Sequence, residues 1–327
     1  LLTKKKLQES NALGTGLSAG LFRTLEAIAT HEVKIEGVST GLPSIDALTG
    51  GLRPGKLNLV GGYATNGKTA LMASVGVRTM AEDAPFLFIS VDDSDDTLLS
   101  KLLAMIYDLP MSDVMHKGPK WRKAQVKDLE GQLFIATPQD SSSYTADQVL
   151  TIYDMVTDFW GRPPRVACFD YMSLLSTSGD DGGGYNVKDK AQRLKQVARQ
   201  TLDTVWLVGH QCKKDAGQDC PALNLNHLEY GGHQEADGVV LGCRRNVTTT
   251  QLPKWEQELE RETPTVNVSV MKNKITGKTS PDPAGTSYVI DPVSGILRPF
   301  TADEMRIRDL KGRKVQMGAP VQFNRKD

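Results

Sequence analysis

Between Val38 and Phe300 the chain alternates short apolar runs with longer stretches of helical spacing. The runs cover residues 56–61, 86–91, 133–136, 165–169, 205–208 and 238–243. None shows the polar alternation of a strand with one face in water, so each is expected to be buried on both faces. Apolar strands separated by helices predict an α/β fold, a mostly parallel, doubly wound sheet flanked by helices. Residues 248–263 break the pattern with a polar, charged segment, and residues 265–271 and 287–290 follow as mixed runs expected to form a C-terminal β-ribbon. Ahead of the alternating region, residues 1–17 are polar and read as a flexible tail. Leu21, Leu25, Ile28 and Ala29 then fall at helical spacing, which predicts a lone helix within residues 18–35. The folded domain is expected over 36–300. Residues 301–327, short of apolar positions and carrying Arg306, Arg308, Lys311, Arg313, Lys314 and Arg325, read as a basic tail.

Composition adds little to this pattern, but it excludes some classes. With 39 basic and 39 acidic residues the net charge is zero, so a polyanion must be gripped by local lysine and arginine clusters, not by a global field. No apolar stretch approaches the roughly 20 residues that cross a bilayer, and the lysines at 4–6 precede no apolar signal core. A soluble, unsecreted protein without a membrane partner is expected. Cys168, Cys212, Cys220 and Cys243 form no C-x-x-C pair, which fits a reducing cytoplasm. His210, Cys212, Cys220, His227 and His233 match no zinc-ligand spacing. The sequence opens at Leu1 instead of Met, leaving room for an upstream domain.

Chemistry enters at Gly62-Tyr63-Ala64-Thr65-Asn66-Gly67-Lys68-Thr69, which fits G-x-x-x-x-G-K-[ST] at every fixed position and follows an apolar run. Such a loop, with Gly62, Thr65, Asn66, Gly67 and the helix opening at Ala70, turns backbone N–H groups onto phosphate oxygens at a helix N-terminus. Lys68 is expected to neutralise the β and γ phosphates, and the Thr69 hydroxyl to ligate Mg²⁺, a hard cation that takes oxygen ligands. The expected ligands are therefore ATP and Mg²⁺. Asp170, at the end of the run 165–169, is the candidate second acid for the metal. Asp92 is the candidate for orienting an attacking water, although Asp93, Asp95 and Asp96 stand beside it and position alone leaves the choice open.

This order of elements resembles the RecA-like P-loop ATPases, and within them the C-terminal motor domain of DnaB-type replicative helicases and their phage relatives. Gly41-Leu42-Pro43-Ser44-Ile45-Asp46-Ala47-Leu48-Thr49-Gly50-Gly51-Leu52 is similar to the superfamily's opening motif. Cys168-Phe169-Asp170-Tyr171-Met172-Ser173-Leu174-Leu175 resembles the helicase string I-D-Y-L-x-L. Gly231 to Leu241 resembles S-G-x-I-E-Q-D-A-D-x-I with one residue fewer, and Met271 to Thr279 the basic strand and turn that closes the motor.

The resemblance implies that Asp92 stands where the family has its catalytic glutamate, and that His210 or Gln211 is the polar sensor, Gln211 being the preferred choice. It implies that Lys272 and Lys274 reach the γ-phosphate of a neighbouring subunit, where DnaB proteins usually carry arginine at the second place. Arg245 falls where relatives place a residue over the base. Single-stranded DNA contact is implied for the loops after Asp170 and His210, giving Lys188, Lys190, Lys213 and Lys214 as candidates. The resemblance further implies a ring of six subunits, a linker helix docked on the adjacent subunit, and a primase or helicase loader as partner. A RadA- or RecA-type recombination ATPase and a KaiC-like regulatory ATPase are the alternative readings.

Overall fold

The computed structural model describes residues 37–138, 143–176, 187–213, 222–245 and 254–317. The expected N-terminal tail and linker helix lie outside them.

Six parallel strands form the frame: β1 (Leu57–Gly62), β2 (Phe86–Ser90), β3 (Leu133–Ala136), β4 (Val166–Asp170), β5 (Val205–Gln211) and β6 (Val239–Arg245). Antiparallel β7 (Thr265–Asn273), β8 (Thr286–Ile290) and β9 (Leu297–Arg298) extend the sheet in the order β3-β2-β4-β5-β1-β6-β7-β8-β9. The expected parallel sheet and C-terminal ribbon are thus one continuous surface.

The helices are α1 (Pro43–Thr49), α2 (Lys68–Met80), α3 (Asp95–Tyr107), α4 (Met111–His116), α5 (Pro119–Asp128), α6 (Ala146–Trp160), α7 (Val187–Gln200), α8 (Lys254–Glu262) and α9 (Ala302–Met317). Successive strand residues enter opposite cores. Phe86 and Phe88 of β2 and Val166 and Cys168 of β4 pack with α2 and α3, whereas Leu87, Ile89, Ala167 and Phe169 pack with α6 and α7. Burial on both faces is the physical reason that β1, β2, β4, β5 and β6 lack polar alternation, whereas β3, at the edge of the sheet, departs from the expectation and leaves Phe134 exposed. Gly76 lets α2 lie close to the sheet, because a Cβ there would sit 2.1 Å from the Phe86 ring.

Two segments differ from the sequence reading. The charged stretch 248–263 contains α8, whose Glu260 accepts from the Thr265 backbone N–H at 2.9 Å and anchors the start of β7. Residues 301–327, read as a tail, contain α9, and its charges fold back: Arg298 forks onto Glu304 with two 2.9 Å bonds, and Arg308 reaches Glu260 at 2.7 Å. A helix rich in charge has no apolar stripe to betray it in sequence, and here ion pairing supplies the docking. Among the described residues no helix is long and apolar enough to cross a membrane.

Candidate nucleotide site

β1 ends on Gly62 and α2 starts on Lys68, so the loop between them sits at the carboxyl edge of the sheet. Gly62 is required by close approach, since a Cβ there would lie 2.7 Å from the Cys243 carbonyl oxygen. Thr65 (φ 62°) and Gly67 (φ 90°) adopt left-handed backbone, which for a β-branched threonine is a strained conformation held by its surroundings. Part of that hold comes from Asn66, whose Oδ1 accepts from the Arg245 backbone N–H at 2.7 Å and staples the loop to the end of β6.

Inside the loop the Lys68 ammonium is buried and donates to the carbonyls of Gly62 (3.1 Å) and Tyr63 (2.8 Å) and to Gln211 Oε1 (3.1 Å). Burial lowers its pKa, opposed first by the Asp170 charge. The Thr69 hydroxyl donates to Asp170 Oδ2 at 2.5 Å, bringing together the two groups proposed from sequence as metal ligands. Asp170 is only 2% exposed, and desolvation pushes its carboxyl up to about 6 against the pull of Thr69 and Lys68. A cation bound beside Asp170 would favour its ionised form, the form that can serve as a hard oxygen ligand.

The acidic run after β2 is sorted by its partners. Asp93 is held bidentately by Lys101 of α3 at 2.8 and 2.7 Å, Asp96 pairs with Arg122, and Ser94 caps α3 through the Thr97 N–H. Asp92 makes no hydrogen bond or salt bridge with the described residues, and it lines the same cavity as Lys68, Thr69 and Asp170. The cavity holds about 700 Å³, within the range of small-molecule sites. Its far wall comes from Lys101 and Met105 of α3, Met111 and Ser112 of α4, and the turn from Ile290 to Gly295 that joins β8 to β9. Sequence reasoning missed this wall. Lys101 carried a signal in its helical spacing from the acidic run, but the turn lies too far along the chain for any local pattern to place it.

Of the two sensor candidates, Gln211 lines the cavity and touches Lys68. His210, one residue earlier on β5, is fully buried on the other face, where a Cβ on Gly232 would lie 3.3 Å from its Nε2. Neither ring nitrogen has a hydrogen-bond partner of ordinary geometry. Desolvation, aided by His233 and Lys68, lowers the imidazole pKa to about 3, and only the Glu229 backbone acts in the other direction.

Lys272 and Lys274 stand apart from the loop. Lys272 is opposite Val240, which pairs with Leu59 of β1, and the Lys274 N–H bonds to the Gly238 carbonyl still lower on the sheet. At about 3.3 Å per residue the pair sits ~10–16 Å below Gly62 and two strands across, beyond lysine reach of its own loop. The Lys272 ammonium donates to the carbonyls of His233 (2.7 Å) and Gln234 (3.2 Å). Arg245 contributes its backbone N–H to the loop and does not line the cavity.

Lys188 is exposed at the start of α7, Lys190 donates to the Ser173 carbonyl at 2.9 Å, and Lys213 is exposed just beyond β5. Lys214 and most of both candidate DNA loops lie outside the described residues.

Residues 37–280 match the DnaB-like helicase C terminal domain. The chain belongs to that family. Within the DnaB family, the replicative DNA helicase DnaB of Treponema pallidum (strain Nichols) is 29% identical over 263 residues, 77% of this chain and 58% of that protein. The corresponding protein of Leifsonia xyli subsp. xyli (strain CTCB07) is 22% identical over 222 residues, 65% of this chain and 44% of that protein. The chain therefore spans about half the length of these DnaB relatives.

Among solved structures, an isolated ATPase domain superposes with a TM-score of 0.66 at 15% identity, covering 84% of this chain and 95% of that one. The structure of a DnaB-like replicative helicase and its interactions with primase gives 0.65 at 16% identity, covering 91% of this chain and 71% of that one. These likenesses establish the RecA-like fold expected from the sequence. The family match supports the DnaB-type reading over the recombinase and regulatory-ATPase alternatives.

Proposed function

We propose that this chain is the ATPase motor of a ring-shaped, DnaB-type DNA helicase that hydrolyses ATP at subunit interfaces to move on single-stranded DNA and unwind duplex. The observation that carries this reading is the separation of the site into two halves. Lys68, Thr69, Asp92, Asp170 and Gln211 gather at one edge of the sheet, whereas Lys272 and Lys274 lie too far away to serve the same loop. A second copy, presenting its lysines to this cavity, would complete the constellation, which favours a head-to-tail homo-oligomer, read here as the ring of six that the resemblance to DnaB-type helicases implies.

The residues fit ATP and Mg²⁺. The cavity accommodates a nucleotide, and the Thr69–Asp170 pair supplies hard oxygen ligands for the metal. Bound Mg²⁺ would neutralise charge on the phosphate oxygens. Lys68 exchanges its loop carbonyls for phosphate, and since one of its partners is Gln211, that side chain feels whether phosphate is present. Asp92, the one carboxylate of the acidic run that lines the cavity, orients the attacking water and accepts its proton. Lys188, Lys190, Lys213 and Lys214 face single-stranded DNA in this reading, and a primase or helicase loader binds the assembled ring.

Unwinding of forked duplexes of both polarities tests it. The wild-type chain should separate strands only with ATP, and Asp92→Asn should bind nucleotide yet separate none. ATP hydrolysis stimulated by single strands without strand separation on either fork would refute the helicase assignment and favour a recombination ATPase.

A further inference from the structure

Lys68 and Lys101 are the only cationic side chains among the described residues that line the nucleotide cavity. They are partnered differently. Lys68 rests on two carbonyls and an amide, all neutral and replaceable, whereas Lys101 closes a bidentate ion pair with Asp93. The pair is half-buried, with side-chain exposures of 33% and 20%, so it is shielded from solvent and less screened than a surface pair. It is also fixed at both ends. Asp93 donates its backbone N–H to Ser90 Oγ at 3.1 Å, and Lys101 lies on the cavity face of α3 with Leu98, Ala104 and Met105.

Asp93 directly follows Asp92, and its charge reaches Asp170 as well. A bare carboxylate at this place would repel a bound triphosphate. We infer that Lys101 is a positioning residue that acts through Asp93, cancelling its charge so that Asp92 alone meets the nucleotide as a free carboxylate. The inference rests on the triphosphate reading of the cavity.

The test measures steady-state ATP hydrolysis by the full chain with Mg²⁺, for Lys101→Met, Lys101→Arg, Asp93→Asn and the double variant Asp93→Asn/Lys101→Met. An uncompensated charge beside the ligand should raise KM for Mg-ATP about ten-fold in Lys101→Met, with kcat within about two-fold of wild type. Lys101→Arg keeps the pair and should keep the wild-type KM. The double variant has neither charge and should return KM to within about three-fold of wild type.

A double variant as impaired as Lys101→Met would overturn the inference, because Lys101 would then be contacting the nucleotide directly. An unchanged KM in Lys101→Met would overturn it equally. Should Lys101→Met fail to fold, Asp93→Asn decides alone: removing the acid leaves Lys101 unopposed, so KM should fall or hold, and a rise is incompatible. Absence of hydrolysis by the wild-type chain, matched by Lys68→Ala, marks the distinct failure of the triphosphate reading.

Discussion

At the scale of single residues, β5 places neighbours with opposite fates on its two faces. Gln211 enters the cavity, and His210 enters the apolar core beneath, where its ring is kept neutral. The folded-state pKa of about 3 lies below the ordinary 6.5, so the stability due to the neutral ring is complete above pH 6.5. It is lost as pH falls towards 3, because the unfolded chain then takes up a proton that the folded chain refuses. This one group should cost about 1.4 kcal/mol per pH unit below 6.5. Urea midpoints between pH 7.5 and 5 should fall more steeply for the wild type than for His210→Gln, and parallel curves would contradict the assignment.

Legibility at this scale followed the reach of local pattern. Lys68, Thr69 and Asp170 could be named because a loop motif and a strand end mark them. The choice between His210 and Gln211 turns on which face of a doubly buried strand looks into the cavity, and a strand without polar alternation hides its own phase. The sorting of Asp92 from Asp93 and Asp96 depends on Lys101 and Arg122, which come from later turns of the chain.

At the scale of elements, the strands were placed within a few residues because their runs are bounded by turns. The helix α9 was not foreseen, since its docking is carried by Arg298–Glu304 and Arg308–Glu260 rather than by an apolar face. The contact of α2 with β2 is the element-level feature most sensitive to a single atom. α2 starts at the phosphate loop, and Gly76 lets it settle against Phe86. Gly76→Ala raises helix propensity yet drives a methyl group into the ring, and overpacking of this kind costs about 1–3 kcal/mol. A lower thermal midpoint is expected; a midpoint equal to or above wild type would show that the interface is looser than described.

At the scale of the whole molecule, the sheet carries the phosphate loop at one end of its strands and Lys272 with Lys274 towards the other. In the proposed ring each cavity is completed by a neighbour, so two different lesions can complement. Lys68→Ala and Lys274→Ala should each be nearly inactive alone. Mixed at equal amounts and allowed to exchange, they should regain hydrolysis at about a quarter of interfaces, where an intact loop meets an intact lysine. No recovery on mixing, with exchange verified by native mass spectrometry, would place both halves of the site in one subunit. The placement of the lysines has a geometric corollary. An open row of such copies always has one loop without a donor at one end and one idle donor at the other, whereas a closed circle leaves neither, so closure itself adds a working site without adding a subunit.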